Sequence, residues 1–220
     1  MRIFDAVLAA IAPYDCTQCG KEGALLCKGC TLSIGSHLPS RCFNCQTTTK
    51  GYRVCEGCRS TLHVGHLWAR CAYDDTAKRL IHDFKFGGKR SAAKEIAQLM
   101  DILLPKDTVL VHVPTATGRI RERGYDHAKL LALAVAANKR LPHDTLLARS
   151  TQHRQVGASR RDRKKNIVGA FRVTRNVAGL RIVLVDDVVT TGSTLSEAAK
   201  VLREAGARHV DAIVFAQTPK

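Results

Sequence analysis

Aromatic residues make up only 5% of the 220-residue chain, and no stacking platform for nucleobases stands out among them. Acids are scarce as well: 19 Asp and Glu stand against 35 Lys and Arg, a formal net charge of +16. That imbalance predicts a strong, salt-sensitive attraction to polyanions, nucleic acid first among them. Long apolar runs are missing too, which excludes a membrane-spanning helix. The run from Ala6 is short and carries only Arg2 as a basic flank, and a signal peptide there would need a cleavage site close to Cys16. The chain is therefore read as cytoplasmic, with no membrane insertion. Cysteine is absent after Cys71, whereas eight of the nine cysteines fall in four Cys-x-x-Cys pairs within the first 58 residues. That segregation marks a domain boundary, and thiols kept reduced in the cytoplasm favour metal ligation over disulfides. The hydrophobic share of 45% is enough for a packed core and excludes a disordered chain.

Cys16, Cys19, Cys27 and Cys30 form one tetrad, and Cys42, Cys45, Cys55 and Cys58 a second with a similar internal gap. Two-residue spacing lets both thiolates of a knuckle face one ion, and four soft sulfurs complete the tetrahedral shell that Zn²⁺ prefers. Gly20, Gly29 and Gly57 stand at or inside these knuckles, where tight turns need permissive backbone. Sequential pairing makes a double zinc ribbon with two structural ions. The interleaved alternative puts Cys16, Cys19, Cys42 and Cys45 on one ion, and an iron–sulfur cluster is a weaker alternative. His63 and His66 read as linker surface and Cys71 as a small buried strand residue.

Beyond a linker over 61–65, a strand is expected near 68–73. Ala77, Leu80, Ile81 and Phe84 then share a helical face, and Gly87 and Gly88 close that helix. A second helix is expected over 91–104, stopped by Pro105, followed by an apolar strand over 109–113. A helix over 126–140, a strand over 145–148, a polar basic arm over 150–166 and an edge segment over 171–174 follow. Strand 182–189, an amphipathic helix over 196–206 and a last strand over 209–215 complete the chain. Strands alternating with helices argue for a mainly parallel sheet covered on both faces, with ligands at the carboxyl ends of its strands.

The most informative stretch joins that penultimate strand to a small-residue turn through Asp186, Asp187, Val188, Val189, Thr190, Thr191, Gly192, Ser193 and Thr194. Backbone N–H groups at such a turn meet the positive end of the following helix and suit a phosphate dianion. Adjacent acids just before it can accept hydrogen bonds from vicinal hydroxyls, so the pair fits a ribose 5-phosphate. The stretch resembles the signature of the type I phosphoribosyltransferases. That resemblance implies 5-phosphoribosyl 1-pyrophosphate (PRPP) as ligand, held by the acids at its ribose hydroxyls and by 190–194 at its 5′-phosphate, with Mg²⁺ bound mainly by the pyrophosphate and sugar. It also implies that the arm is a loop closing over the pyrophosphate. Purine-salvage enzymes of this type put an acid where Thr190 stands, so a 6-oxopurine acceptor is not expected.

Four Cys-x-x-Cys pairs joined to this signature resemble the competence-associated ComF/GntX family. Further matches are Phe84-Lys85-Phe86-Gly87-Gly88, then Arg119 and Arg123 followed by Gly124-Tyr125, then Gln155, Ser159, Arg163, Asn166 and Ala170-Phe171. The chain departs from the family at Asp126-His127, where Asn-Gln is usual, and at Ala158, where leucine is usual. The resemblance implies an α/β fold: a type I phosphoribosyltransferase-like, mainly parallel sheet with flanking helices, plus a small N-terminal zinc-ribbon module. Residues 1–12 are read as an N-terminal helix, 13–62 as the double zinc ribbon and 66–220 as the phosphoribosyltransferase-like domain. Asp186, Asp187 and Lys85 are the expected catalytic residues, while Pro114 and Thr115, with Arg119 and Arg123, are expected at the pyrophosphate. His112 and His127 can move protons near neutral pH, but a lone histidine is more often structural and neither is assigned as a base. Two functions follow: a phosphoribosyl transfer to an unknown acceptor linked to DNA uptake, or a PRPP sensor or scaffold whose ribbons and basic surface bind single-stranded DNA or a DNA-processing protein.

Overall fold

The computed structural model describes residues 15–34, 37–150 and 167–219. The expected N-terminal helix over 1–12 lies outside them, as does the arm with Gln155, Ala158, Ser159, Arg163 and Asn166. Among the described residues no helix is long and apolar enough to cross a membrane.

The cysteine-rich segment is one small unit built twice. Each copy opens with a hairpin bridge, Asp15 to Glu22 and then Arg41 to Thr48, around its first cysteine pair. The Gly20 N–H donates to Cys16 O and the Gln46 N–H to Cys42 O, both at 2.8 Å. These equivalent residues share a positive φ, 74° and 64°, which the tight turn around the thiols imposes. Each copy ends in a short helix, α1 (Lys28–Ser33) and α2 (Glu56–Leu62), capped by Cys27 and Cys55.

Strand β1 (Leu67–Ala72) leads into α3 (Asp75–Phe86), whose start is fixed by the Asp74 carboxylate accepting from the Ala77 N–H at 2.9 Å. Helix α4 (Ala92–Leu99) follows, then β2 (Thr108–His112), α5 (Thr117–Arg123), α6 (His127–Lys139), β3 (Leu147–Arg149), β4 (Phe171–Val173), β5 (Arg181–Val189), α7 (Ser193–Glu204) and β6 (His209–Gln217). The main sheet is parallel in the order β1-β6-β5-β2. Strands β3 and β4 pair antiparallel in a separate ribbon.

Alternation along β5 and β6 divides the core in two. Val183, Val185, Ile213 and Phe215 pack with α3, α4 and α6, and with Leu25, Leu26 and Ile34 of the first cysteine unit. Ile182, Leu184, Ala212 and Val214 pack with α7, and with Phe43, Val54 and Leu62 of the second. The two units therefore cover opposite faces of one sheet. Glu95 of α4 fastens the first, its carboxylate accepting from Leu25 N at 3.4 Å and Leu26 N at 3.2 Å.

Two expectations need correction, and one helix was not expected at all. The second helix stops at Leu99 rather than 104, because Met100 leaves helical geometry at ψ 46°. The segment over 117–123 is helical although no apolar stripe announces it. The stretch 61–65 and His66 are not a free surface linker. Val64 is fully buried, Gly65 N donates to Val210 O at 2.9 Å, and His66 N donates to the buried Asp211 at 2.9 Å.

Candidate functional site

The acid pair ends the buried run of β5, just past the last β2 pairing, His112 with Val185. Each carboxylate turns back on the backbone: Asp186 Oδ1 accepts from the Asp187 N–H at 2.9 Å, and Asp187 Oδ1 from the Val188 N–H at 2.7 Å. Asp187 is 3% exposed and its second oxygen meets Lys85 Nζ, with His127 Nε2 at 3.6 Å. Asp186 is half-buried. Desolvation, then the charge of Asp187, pushes its carboxyl up to about 7.

Two segments that the sequence showed only as separate motifs interlock beside this pair. The Tyr125 hydroxyl donates to Phe84 O, and the Arg123 guanidinium lies 4.6 Å over the Phe86 ring. Arg90 Nη2 donates to Gly124 O at 3.2 Å and its guanidinium lies 5.1 Å from the Tyr125 ring. These contacts hold the end of α3, and with it Lys85, against the start of α6. Gly124 closes α5 at φ 77°, a left-handed conformation suited to glycine.

His127, left unassigned from the sequence together with His112, enters this site. It is 6% exposed, and Arg123 Nη1 reaches its Nδ1 at 2.9 Å. Because a guanidinium can only donate, Nδ1 is the acceptor and the neutral ring carries its proton on Nε2, facing Asp187. Burial pushes His127 down to about 4, so the ring is neutral near pH 7. The departure Asp126-His127 thus has a structural meaning. Asp126 caps α6, accepting from Lys129 N at 3.2 Å and from Thr115 Oγ1 at 2.8 Å, while His127 enters the acid cluster.

The turn after β2 sits alongside, since the Val113 N–H donates to Val185 O at 3.1 Å. Pro114 is buried and its carbonyl accepts from Arg149 Nε at 3.0 Å. Thr190 and Thr191 are exposed, and Thr191 Oγ1 lies 2.9 Å from Ser193 Oγ. Gly192, at φ 78°, starts α7 and is buried, and a Cβ there would collide with the Phe43 ring. Phe43 lies between Cys42 and Cys45, so the second knuckle presses directly on the turn. Asp186, Asp187, Lys85, Arg123 and the two turns are thus brought together. Arg119 is not: it is exposed on α5 without an ion pair among the described residues.

The thiols gather as Cys16, Cys19, Cys27, Cys30 and as Cys42, Cys45, Cys55, Cys58, each set with Sγ atoms within 4.8 Å of one another, which removes the interleaved pairing. Tetrahedral Zn–S bonds of about 2.3 Å put sulfurs roughly 3.8 Å apart. The Cys19 and Cys27 sulfurs are 3.7 Å apart and those of Cys45 and Cys55 3.5 Å, so both sets fit such an ion. Cys71 belongs to neither; it is 1% exposed, with Sγ donating to Phe215 O. His127, Asp186 and Asp187 form a third cluster of potential ligands within 4.8 Å.

Fold and site together define a phosphoribosyltransferase-type domain clasped by two four-cysteine units. The phosphoribosyl transferase domain family matches residues 120–220. A DNA utilization protein YhgH of Salmonella typhi is 30% identical over 221 residues, covering 92% of this chain and 88% of that protein. Competence protein F of Haemophilus influenzae is 30% identical over 200 residues, covering 77% and 86%. The chain belongs to this competence-associated ComF/GntX family. Among solved structures it is similar to an allosteric regulatory enzyme of purine biosynthesis, with a TM-score of 0.43, 20% identity and coverage of 60% of this chain and 29% of that one.

Proposed function

We propose that the protein binds PRPP and transfers its 5-phosphoribosyl group to an acceptor, with release of pyrophosphate, in a process of DNA uptake. The carrying observation is the acid pair at the carboxyl end of β5, followed without a break by an exposed turn at the start of α7. Asp186 and Asp187 hold the ribose 2′- and 3′-hydroxyls, and the amides and hydroxyls over 190–194 hold the 5′-phosphate. The Pro114-Thr115 turn and Arg123 face the pyrophosphate. As the C1–O bond breaks, the pyrophosphate leaves with the electron pair and Arg123 stabilises the added charge. Lys85 balances Asp187 in the free protein. The carboxylate oxygens of Asp186 and Asp187 fit a hard divalent cation. Mg²⁺ entering with PRPP would neutralise the pyrophosphate.

The two thiolate sets hold structural Zn²⁺, since four protein ligands leave no position open for chemistry. The names of the relatives, a DNA utilization protein and a competence protein, support the link to DNA uptake. A sensor or scaffold role is the second reading, favoured by one observation: Lys85 and His127 already engage Asp187 in the free protein. Isotopic release of pyrophosphate from PRPP with candidate acceptors separates the two. Release by the native chain that disappears in Asp187→Ala supports transfer. PRPP binding without release under any acceptor leaves the sensor role, and no PRPP binding rejects both.

A further inference from the structure

A wide recess lies at the other end of the sheet from the acid pair. Its volume is about 760 Å³, within the range of roughly 300 to 1,000 Å³ for small-ligand pockets. Helix α2 of the second cysteine unit, the first residues of β5 and β6 and the last turn of α7 bound it. Five arginines line it, Arg53, Arg59, Arg181, Arg203 and Arg208, and no lysine does. Two carboxylates share the wall. Asp211 is 3% exposed and already serves His66, at 2.9 Å from its N–H and 3.0 Å from Nδ1, with Arg181 Nη1 at 3.9 Å. Glu56 is exposed.

Among the described residues the remaining arginines make no ion pair. Arg59 Nη2 donates to Val54 O at 3.3 Å and Arg203 Nη1 to Ala207 O at 2.8 Å, which orients both without neutralising either. Arg59 Nε is buried with no hydrogen-bond partner among the described residues. Arg53 and Arg208 are exposed and make no ion pair among the described residues. Guanidinia crowded in this way repel one another, and an anion entering between them lowers that energy. Their planar two-pronged donors match phosphate oxygens, which the point charge of lysine does not. The His66 ring also lines the recess, stacked on Trp68 within 6°.

We infer that this recess is a second phosphate site, which takes the phosphate groups of a nucleotide ligand. It is separate from the β5 site and does not depend on the PRPP reading. The phosphates belong to a single strand of nucleic acid or to a free nucleotide, and the two sources are separable. The zinc-loaded full chain is titrated with a labelled single-stranded oligonucleotide and, separately, with a nucleoside triphosphate. Arg53→Glu with Arg208→Glu is compared with Lys21→Glu and Lys94→Glu, an equal change of net charge placed outside the recess. At least one probe binds the native chain, the recess pair weakens it about tenfold or more, and the control pair changes it less than about twofold. Binding of the oligonucleotide alone assigns the site to a strand, and binding of the triphosphate assigns it to a free nucleotide. If the charge reversals lower the melting temperature, Arg53→Gln with Arg208→Gln gives the same direction with a smaller loss. Failure of both probes to bind, equal weakening by the two pairs, or displacement of the probe by PRPP would each overturn the assignment.

Discussion

Burial drives two neighbours of Asp187 in opposite directions. Asp186 is raised to about 7 by desolvation and the adjacent carboxylate, and His127 is lowered to about 4 by desolvation. The folded chain keeps the Asp186 proton where the unfolded chain has lost it, so this carboxyl's contribution to stability falls as pH rises from about 4 to about 7. His127 has the reverse sign. Unfolded, it stays protonated up to the ordinary value of 6.5, so its contribution is lost as pH falls from there to about 4. The two slopes mask each other in the native protein. Asp186→Asn removes only the first, so the variant should gain about 2 kcal/mol on the native chain between pH of about 4.5 and about 7.5, allowing for partial exposure. Denaturant unfolding at both pH values checks this, and an equal difference at each contradicts it.

Among the elements, the joint between the second knuckle and the α7 turn carries the most consequence. Gly192→Ala must either strain a left-handed residue or push Phe43 out of place. We expect a loss of about 2 kcal/mol or more in urea unfolding, from backbone strain and overpacking. PRPP binding should weaken with it, whereas an unchanged affinity would mean that the turn does not hold the phosphate. Phe43→Ala should cost about 3 kcal/mol through the cavity it leaves. None of this joint was legible in the sequence, because Phe43 and Gly192 meet only when the sheet is assembled. The strands β5 and β6 were legible, since their apolar runs are fully buried and speak for themselves. Helix α5 was not, since Thr117–Arg123 shows no apolar stripe and is fixed by the Gly124 cap and the Arg123 contacts. Likewise β3 and β4 could be read as strands but not as a separate ribbon, since pairing is a long-range choice. His127 escaped assignment for the same reason: its role depends on Arg123 and Asp187 converging from different elements.

At the scale of the molecule, the cysteine units are parts of the core rather than appendages. The single tryptophan, Trp68, packs in the same cluster as Cys16, Leu25 and Leu26. Stripping metal with a chelator should therefore shift its fluorescence to longer wavelength and lower the melting temperature, since thiolate sites of this kind fold their segment. Unchanged emission would mean that the first unit is held without metal. Glu95→Ala removes the acceptor of two backbone amides and should cost about 1 to 3 kcal/mol, read from the same emission change at lower denaturant. A calorimetric titration of the zinc-loaded chain with PRPP and Mg²⁺ goes to the centre of the account. Saturable binding that collapses in Asp187→Asn, and is much weaker for ribose 5-phosphate, is the predicted result. Heat that never saturates, or equal affinity in native and variant chains, would show that the β5 acids and their turn do not grip a phosphorylated pentose.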